Sequence, residues 1–367
     1  MATVARRCCE ASVAELDLGP LAARVPEALR GSSAYHVPKP ARVVAKLDAN
    51  ELPYGLPTEL RARIADALAE LPLERYPDPQ AARLRAIVAR QLGVAGEQLV
   101  FGNGSDELIA MLCNAFPGPV LYPTPSFVYY RLAAIARGLP LVEIPLHADF
   151  TLDEAAVESA IVRDGPSTVF LALPNNPTGT LWRTGFALEL AERYRDTVIV
   201  SDEAYVAYAG VSNLPHLAAH PNLVVMRTLS KIGLAGLRVG YTISAPAIAA
   251  VLEKVRPPYN LSALDQRAAE LALEHAAEWG IARATEVVAE RSRMATALGA
   301  LGLHVFPSEA NLLLVRFPDG AAAYAKLFAA GVSVRSFGAT GPLANCLRIT
   351  VGTPTETQSL LRALTST

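Results

Sequence analysis

Val225-Met226-Arg227-Thr228-Leu229-Ser230-Lys231-Ile232-Gly233-Leu234-Ala235-Gly236-Leu237-Arg238-Val239-Gly240-Tyr241 is the stretch that decides how this chain is read. It starts at the end of an apolar run, residues 223–226, with the character of a buried strand. Hydroxyls, one lysine, glycines and an arginine follow at once. An ammonium set among small and apolar residues is costly to bury without a partner. Desolvation lowers a lysine's pKa and frees its amine as a nucleophile, which is what a Schiff base requires. Taken alone, the stretch fits a surface loop with a stray lysine equally well.

Two stretches on either side of the middle of the chain add chemistry. Residues 98–101 read as a short strand, and Gly102-Asn103-Gly104-Ser105-Asp106-Glu107 then opens a helix over 108–116. Glycine lets backbone approach an anion, and a helix N-terminus points free N–H groups and a positive dipole end at it. Ser105 adds a hydroxyl. A plain capped strand–helix turn has the same pattern, but Lys231 and Arg238 in the same chain favour a phosphate cradle. Residues 197–200 form a β-branched strand, and Ser201-Asp202-Glu203-Ala204-Tyr205 leaves its carboxyl end, where open α/β sheets bind ligands.

The bulk properties bound the class. With 367 residues the chain has length for two domains. Hydrophobic content of 51% and charged content of 19% suit a well-buried enzyme. A net charge of -2 gives no electrostatic footprint for nucleic acid, and no apolar run has the length of a membrane span. Arg6 and Arg7 are not followed by an apolar segment, so no signal peptide is expected. The four cysteines, Cys8, Cys9, Cys113 and Cys346, lack metal-site spacing, and the six histidines are scattered. Free thiols in a cytoplasmic protein, and no metal, are the expectation.

Three motifs recur together in one family. Asn175-Asn176-Pro177-Thr178-Gly179, Ser201-Asp202-Glu203-Ala204-Tyr205 and Ser230-Lys231…Arg238, in this order, resemble the fold-type I pyridoxal-phosphate (PLP) aminotransferases. The histidinol-phosphate branch is closer still, through residues 34–38, 47–51, 75–77 and 104–107, and through Cys346-Leu347-Arg348-Ile349-Thr350-Val351-Gly352-Thr353. The match runs from about residue 34 to the C-terminus.

Residues 16–29 fit a short amphipathic helix, Pro257-Pro258-Tyr259-Asn260-Leu261-Ser262-Ala263 a linker, 265–301 one long helical region and 332–337 a strand. The resemblance implies a large, mostly parallel seven-stranded α/β domain, bounded by that linker to 45–258. It further implies a smaller C-terminal α/β domain over 259–367 and an N-terminal arm over 1–44. It assigns Lys231 to the Schiff base and to proton transfer, Asp202 to the cofactor ring nitrogen, and Asn176 and Tyr205 to its 3′-oxygen. Gly104, Ser105, Asp106, Thr228, Ser230 and Arg238 fall at the phosphate, and Phe127 under the ring, where stacking needs only a flat face. Tyr76 is placed at the phosphate of the neighbouring subunit, which makes the protein a homodimer with shared sites. Tyr35, Asn176, Arg335 and Arg348 fall at the substrate. For Tyr35 packing of the arm, and for Arg335 pairing with an acid, read nearly as well. The 7-residue step from Lys231 to Arg238 is one shorter than in many members, so this loop must follow its own path.

The implied reaction is ping-pong amino transfer in histidine biosynthesis: glutamate charges the cofactor and leaves as 2-oxoglutarate, and the amine passes to imidazole acetol phosphate, giving histidinol phosphate. An aromatic amino-acid aminotransferase needs only a few altered pocket residues. A threonine-phosphate decarboxylase uses a similar scaffold for another reaction. A non-catalytic cofactor-binding module fits poorly with Lys231, Asp202, Tyr205 and Asn176 all present.

Overall fold

A computed structural model describes residues 19–30, 38 and 40–366. Tyr35, Cys8 and Cys9 lie outside the described residues. Of the amphipathic stretch expected near 16–29, the described part forms a 3-10 turn, Gly19–Arg24, and one helical turn, Glu27–Arg30.

The strands in chain order are β1 (Ala45–Lys46), β2 (Leu99–Asn103), β3 (Val120–Thr124), β4 (Leu141–Pro145), β5 (Thr168–Ala172), β6 (Val198–Asp202) and β7 (Leu223–Thr228). They continue with β8 (Val239–Ser244), β9 (His304–Val305), β10 (Leu312–Arg316), β11 (Val332–Ser333), β12 (Arg335–Ser336) and β13 (Cys346–Thr350). A 7-stranded sheet has the order β2-β8-β7-β6-β5-β3-β4. Only β8 runs against its neighbours; the β7–β6, β6–β5, β5–β3 and β3–β4 pairs are parallel.

Parallel strands covered on both faces read as continuous apolar runs. Strands β5, β6 and β8 are buried at every position. Alternate residues serve opposite faces. Val169, Leu171, Ile199, Val225 and Ile243 enter one core, with Leu84 and Phe186 from covering helices. Phe170, Val198, Val200, Val224 and Met226 enter the other, with Leu108 and Leu112 of the Gly104–Ala115 helix.

The later part of the chain builds an antiparallel sheet, β12-β13-β10-β9. Leu313, Val315, Leu347 and Ile349 pack there with Met294, Leu298 and Leu360. The helix carrying Leu360, Pro354–Thr365, starts from a capping box: Thr353 and Glu356 satisfy each other's backbone N–H. The single helical region expected over 265–301 is two helices, Ala263–His275 and Ala277–Ala300, broken where Ala276 leaves helical geometry. The first gives Ala269 and Ala272 to the core of the large sheet. The strand expected over 332–337 is also split. Its first half pairs with β1 and its second half joins the small sheet.

Candidate active site

Topology gathers the expected residues before any side chain is considered. The carboxyl ends of β5, β6 and β7 lie at one edge of the sheet, in register Ala172↔Asp202↔Met226. Strand β2 is antiparallel to β8, which is antiparallel to β7, so β2 ends at the same edge. There Asn103 faces Val239 and Thr228 faces Gly240. Asn176, Asp202, Lys231, Arg238 and the Gly104–Ala115 helix start therefore share one edge.

Lys231 sits in a 3-10 turn, Leu229–Ile232, N-capped by the Thr228 hydroxyl. Its amine donates to the Ala49 carbonyl at 3.3 Å. Burial first, and the Arg348 cation second, pull the Lys231 pKa down to about 8. The folded site thus gives up the ammonium proton far more readily than a free lysine does.

Asp202 is buried at the end of β6. The Tyr130 hydroxyl donates to its Oδ2 at 2.6 Å, and the Ala204 N–H donates to Oδ1 at 3.1 Å. Burial pushes the carboxyl up to about 6, against the pull of these two donors. Tyr130 is fully buried, stacked on Phe170 at 4.7 Å, with the Phe127 ring edge-on at 5.6 Å. The contact between Tyr130 and Asp202 was not readable from sequence; the only hint is that Tyr130 follows Phe127 by one helical turn. Tyr205 is also buried, and its Oη accepts from Asn50 Nδ2 at 2.8 Å. Burial raises the Tyr205 phenol to about 12, opposed by Arg348 and Asn50.

The anion end is built by close backbone approach. A Cβ on Gly240 would lie 2.9 Å from the Gly104 carbonyl carbon and 3.0 Å from the Ser105 nitrogen. A Cβ on Gly104 would meet Arg238 Nη2 at 2.5 Å. The two glycines thus let β8 and the helix start close on each other and leave the Arg238 guanidinium over the first helical turn. The short loop reaches this point through a second 3-10 turn, Ala235–Leu237, with Gly233 at φ 95 and Arg238 at φ 51. Arg238 pairs with the Asp106 carboxylate at 3.0 Å. The Asp106 side chain is thus turned to the arginine, and its backbone N–H is the group able to face an anion. The Ser230 and Thr228 hydroxyls lie 2.9 Å apart, both buried. A glycine-lined gap, hydroxyls, a guanidinium and a helix start form a donor set that suits a phosphate. A buried carboxylate and an amine of lowered pKa lie beyond it, so the residues fit PLP.

Arg348, on β13, donates to Asn176 Oδ1 at 2.7 Å and to the Asp48 carbonyl at 2.5 Å. Arg335 is its direct cross-strand partner, so the two guanidinium side chains leave the same face. Asn175 is buried and locks the loop through Ser126, Pro125 and Thr178. Tyr76 has a different setting: 80% exposed, its ring is stacked on Tyr259 at 4.5 Å. Among the described residues no three His, Cys, Asp or Glu side chains are placed to hold a metal, and no helix is long and apolar enough to cross a membrane.

The mixed sheet and the lysine–aspartate–arginine edge define the fold-type I class of PLP-dependent α/β proteins. The family model for class I and II aminotransferases matches residues 42–364, and the chain belongs to that family of PLP-dependent enzymes. The chain is 44% identical over 356 residues to the histidinol-phosphate aminotransferase of Methylibium petroleiphilum, covering 95% of each. It is 45% identical over 338 residues to histidinol-phosphate aminotransferase 1 of Burkholderia lata, covering 90% of this chain and 94% of that one. The crystal structure of the Sinorhizobium meliloti histidinol-phosphate aminotransferase in complex with PLP superposes with a TM-score of 0.81 at 28% identity. That match covers 88% of this chain and 90% of the other.

Proposed function

We propose that this aminotransferase interconverts glutamate and imidazole acetol phosphate with 2-oxoglutarate and histidinol phosphate by a ping-pong cycle, the amine passing from glutamate to the keto phosphate in histidine biosynthesis. The observation that carries the substrate choice is the Arg335–Arg348 cross-strand pair. Two guanidinium side chains leaving one face suit a dianionic phosphate, and a substrate carboxylate engages the same face in the other half-reaction. An aromatic amino acid offers these arginines only a singly charged carboxylate.

PLP, when bound, supplies an electron sink for the charge that develops at the substrate Cα. Every other part belongs to the chain. Arg238, Ser105, Thr228, Ser230 and the N–H groups at Gly104 and Asp106 hold the phosphate. Phe127 offers a flat face to the ring. Asp202, aimed by Tyr130, holds the proton on the ring nitrogen. Asn176, whose Oδ1 is taken by Arg348, keeps its Nδ2 to donate to the 3′-oxygen, beside the Tyr205 hydroxyl. Lys231 takes the proton from the substrate Cα, and an amine with a pKa of about 8 suits that task. Tyr35, outside the described residues, keeps only the substrate-binding role that the family resemblance implies.

Tyr76 completes the phosphate site of a second copy. Leu73, Tyr76 and Tyr259 are exposed and Leu264 lies beside them, which supports a homodimer whose sites are shared. The buried thiols Cys113 and Cys346 are unpaired, as suits a cytoplasmic enzyme.

Arg335→Leu tests the substrate choice. Loss of a charge-assisted contact should raise the KM for histidinol phosphate about 10- to 100-fold. The KM for histidinol, which lacks the phosphate, should stay within about twofold. Equal effects on both amines would contradict the reading.

A further inference from the structure

Asn50 is buried at 1% exposure and has φ 53, a left-handed conformation that asparagine tolerates. Its backbone N–H donates to Thr350 Oγ1 at 2.9 Å, and an N–H has no other role. The Thr350 hydroxyl, having accepted there, keeps its own proton to donate, and Asn50 Oδ1 lies 3.2 Å away. The amide oxygen of Asn50 therefore faces Thr350, and its Nδ2 faces Tyr205 Oη at 2.8 Å. The Asn50 carbonyl is pinned as well, by Asn311 Nδ2 at 3.0 Å. A phenol carries one proton. Because Tyr205 accepts from Asn50, its own proton is left for whatever occupies the site. With the amide reversed, Tyr205 would spend that proton on Asn50 Oδ1.

We infer that Asn50, oriented by Thr350, is a positioning residue that aims the Tyr205 hydroxyl proton into the active site. Thr350 belongs to strand β13 of the small sheet and Tyr205 follows β6 of the large one. The placing of the small sheet thereby sets a proton direction at the catalytic edge. The inference rests on the reading of Tyr205 as a donor to the 3′-oxygen of the cofactor, and not on the choice of amine substrate.

The test is the pH titration of the visible absorption band of the PLP-loaded enzyme, without substrate. The variants are Tyr205→Phe, Thr350→Val, Thr350→Ser and Asn50→Gly, the last compatible with positive φ. Thr350→Val and Asn50→Gly are also made in the Tyr205→Phe background. Tyr205→Phe should raise the midpoint. Thr350→Val and Asn50→Gly should raise it too, by about 0.3 to 1 pH unit, the scale of one hydrogen bond. Thr350→Ser, which restores a hydroxyl, should match the wild type. In the Tyr205→Phe background neither change should move the midpoint further. A Thr350→Val midpoint equal to wild type, or shifts that add in full to Tyr205→Phe, would overturn the proposal. An unshifted Tyr205→Phe would overturn the reading of Tyr205 beneath it, and the proposal with it. Thermal melts of each variant, with and without PLP, separate a lost fold from a redirected proton.

Discussion

Lys231 shows how a single residue combines function with a cost to stability. Its ordinary pKa is 10.5, and in the fold it is about 8. The folded protein therefore disfavours the ammonium. The penalty is fully present below about pH 8 and fades as pH rises toward 10.5. Lys231→Met in the cofactor-free protein should accordingly unfold later than wild type near neutral pH, by about 1–3 kcal/mol. Urea unfolding should show that difference shrinking as pH approaches 10.5. A constant difference across this window would mean that the lysine is not desolvated. At this scale the sequence spoke where chemistry is carried by residue type in a local motif: Lys231, Asp202, Asn176 and the Gly104–Asp106 turn. Tyr130 was silent because its partner Asp202 is 72 positions away. Asn50 carries no role legible from the chain, since its contacts span 155 residues to Tyr205 and 300 to Thr350. Arg335 and Arg348 each stand out in sequence as arginines in or beside apolar strands, but only strand pairing sets them opposite each other.

At the scale of elements, the junction of β8 with the Gly104–Ala115 helix governs cofactor retention. Gly240→Ala places a methyl against Gly104 and Ser105 backbone, which cannot yield as a side chain tip would. Kd for PLP should rise about tenfold or more, while the cofactor-free melting temperature falls by only a few degrees. Equilibrium dialysis and a thermal melt check the two halves; an unchanged Kd would mean that the cradle does not hold the phosphate. The strands of the large sheet were legible because burial on both faces leaves unbroken apolar runs. The break at Ala276 was not, since alanine carries no stop signal and the helical pattern continues on both sides. The split of 332–337 was hidden because each half is a two-residue strand fixed by a different partner.

For the molecule as a whole, we propose that the small unit begins after the Ala263–His275 helix. Ala269 and Ala272 of that helix belong to the core of the large sheet. A boundary drawn from the Pro257-Pro258 turn follows composition, whereas the core follows packing. The shared-site dimer has its own test at this scale. Tyr76→Ala and Lys231→Ala should each be nearly inactive. Unfolded and refolded together, they should form hybrids with one site intact, recovering about a quarter of wild-type activity. No recovery would place Tyr76 outside the neighbour's site.

The central claim is the substrate, and half-reaction spectra test it most directly. Histidinol phosphate, phenylalanine and O-phosphothreonine are each added to the PLP-loaded enzyme without a keto acid. Histidinol phosphate should bleach the visible band at far lower concentration than phenylalanine, and release no carbon dioxide. Preference for phenylalanine would make this an aromatic amino-acid aminotransferase. Carbon dioxide released from O-phosphothreonine, with the visible band restored, would contradict amino transfer altogether.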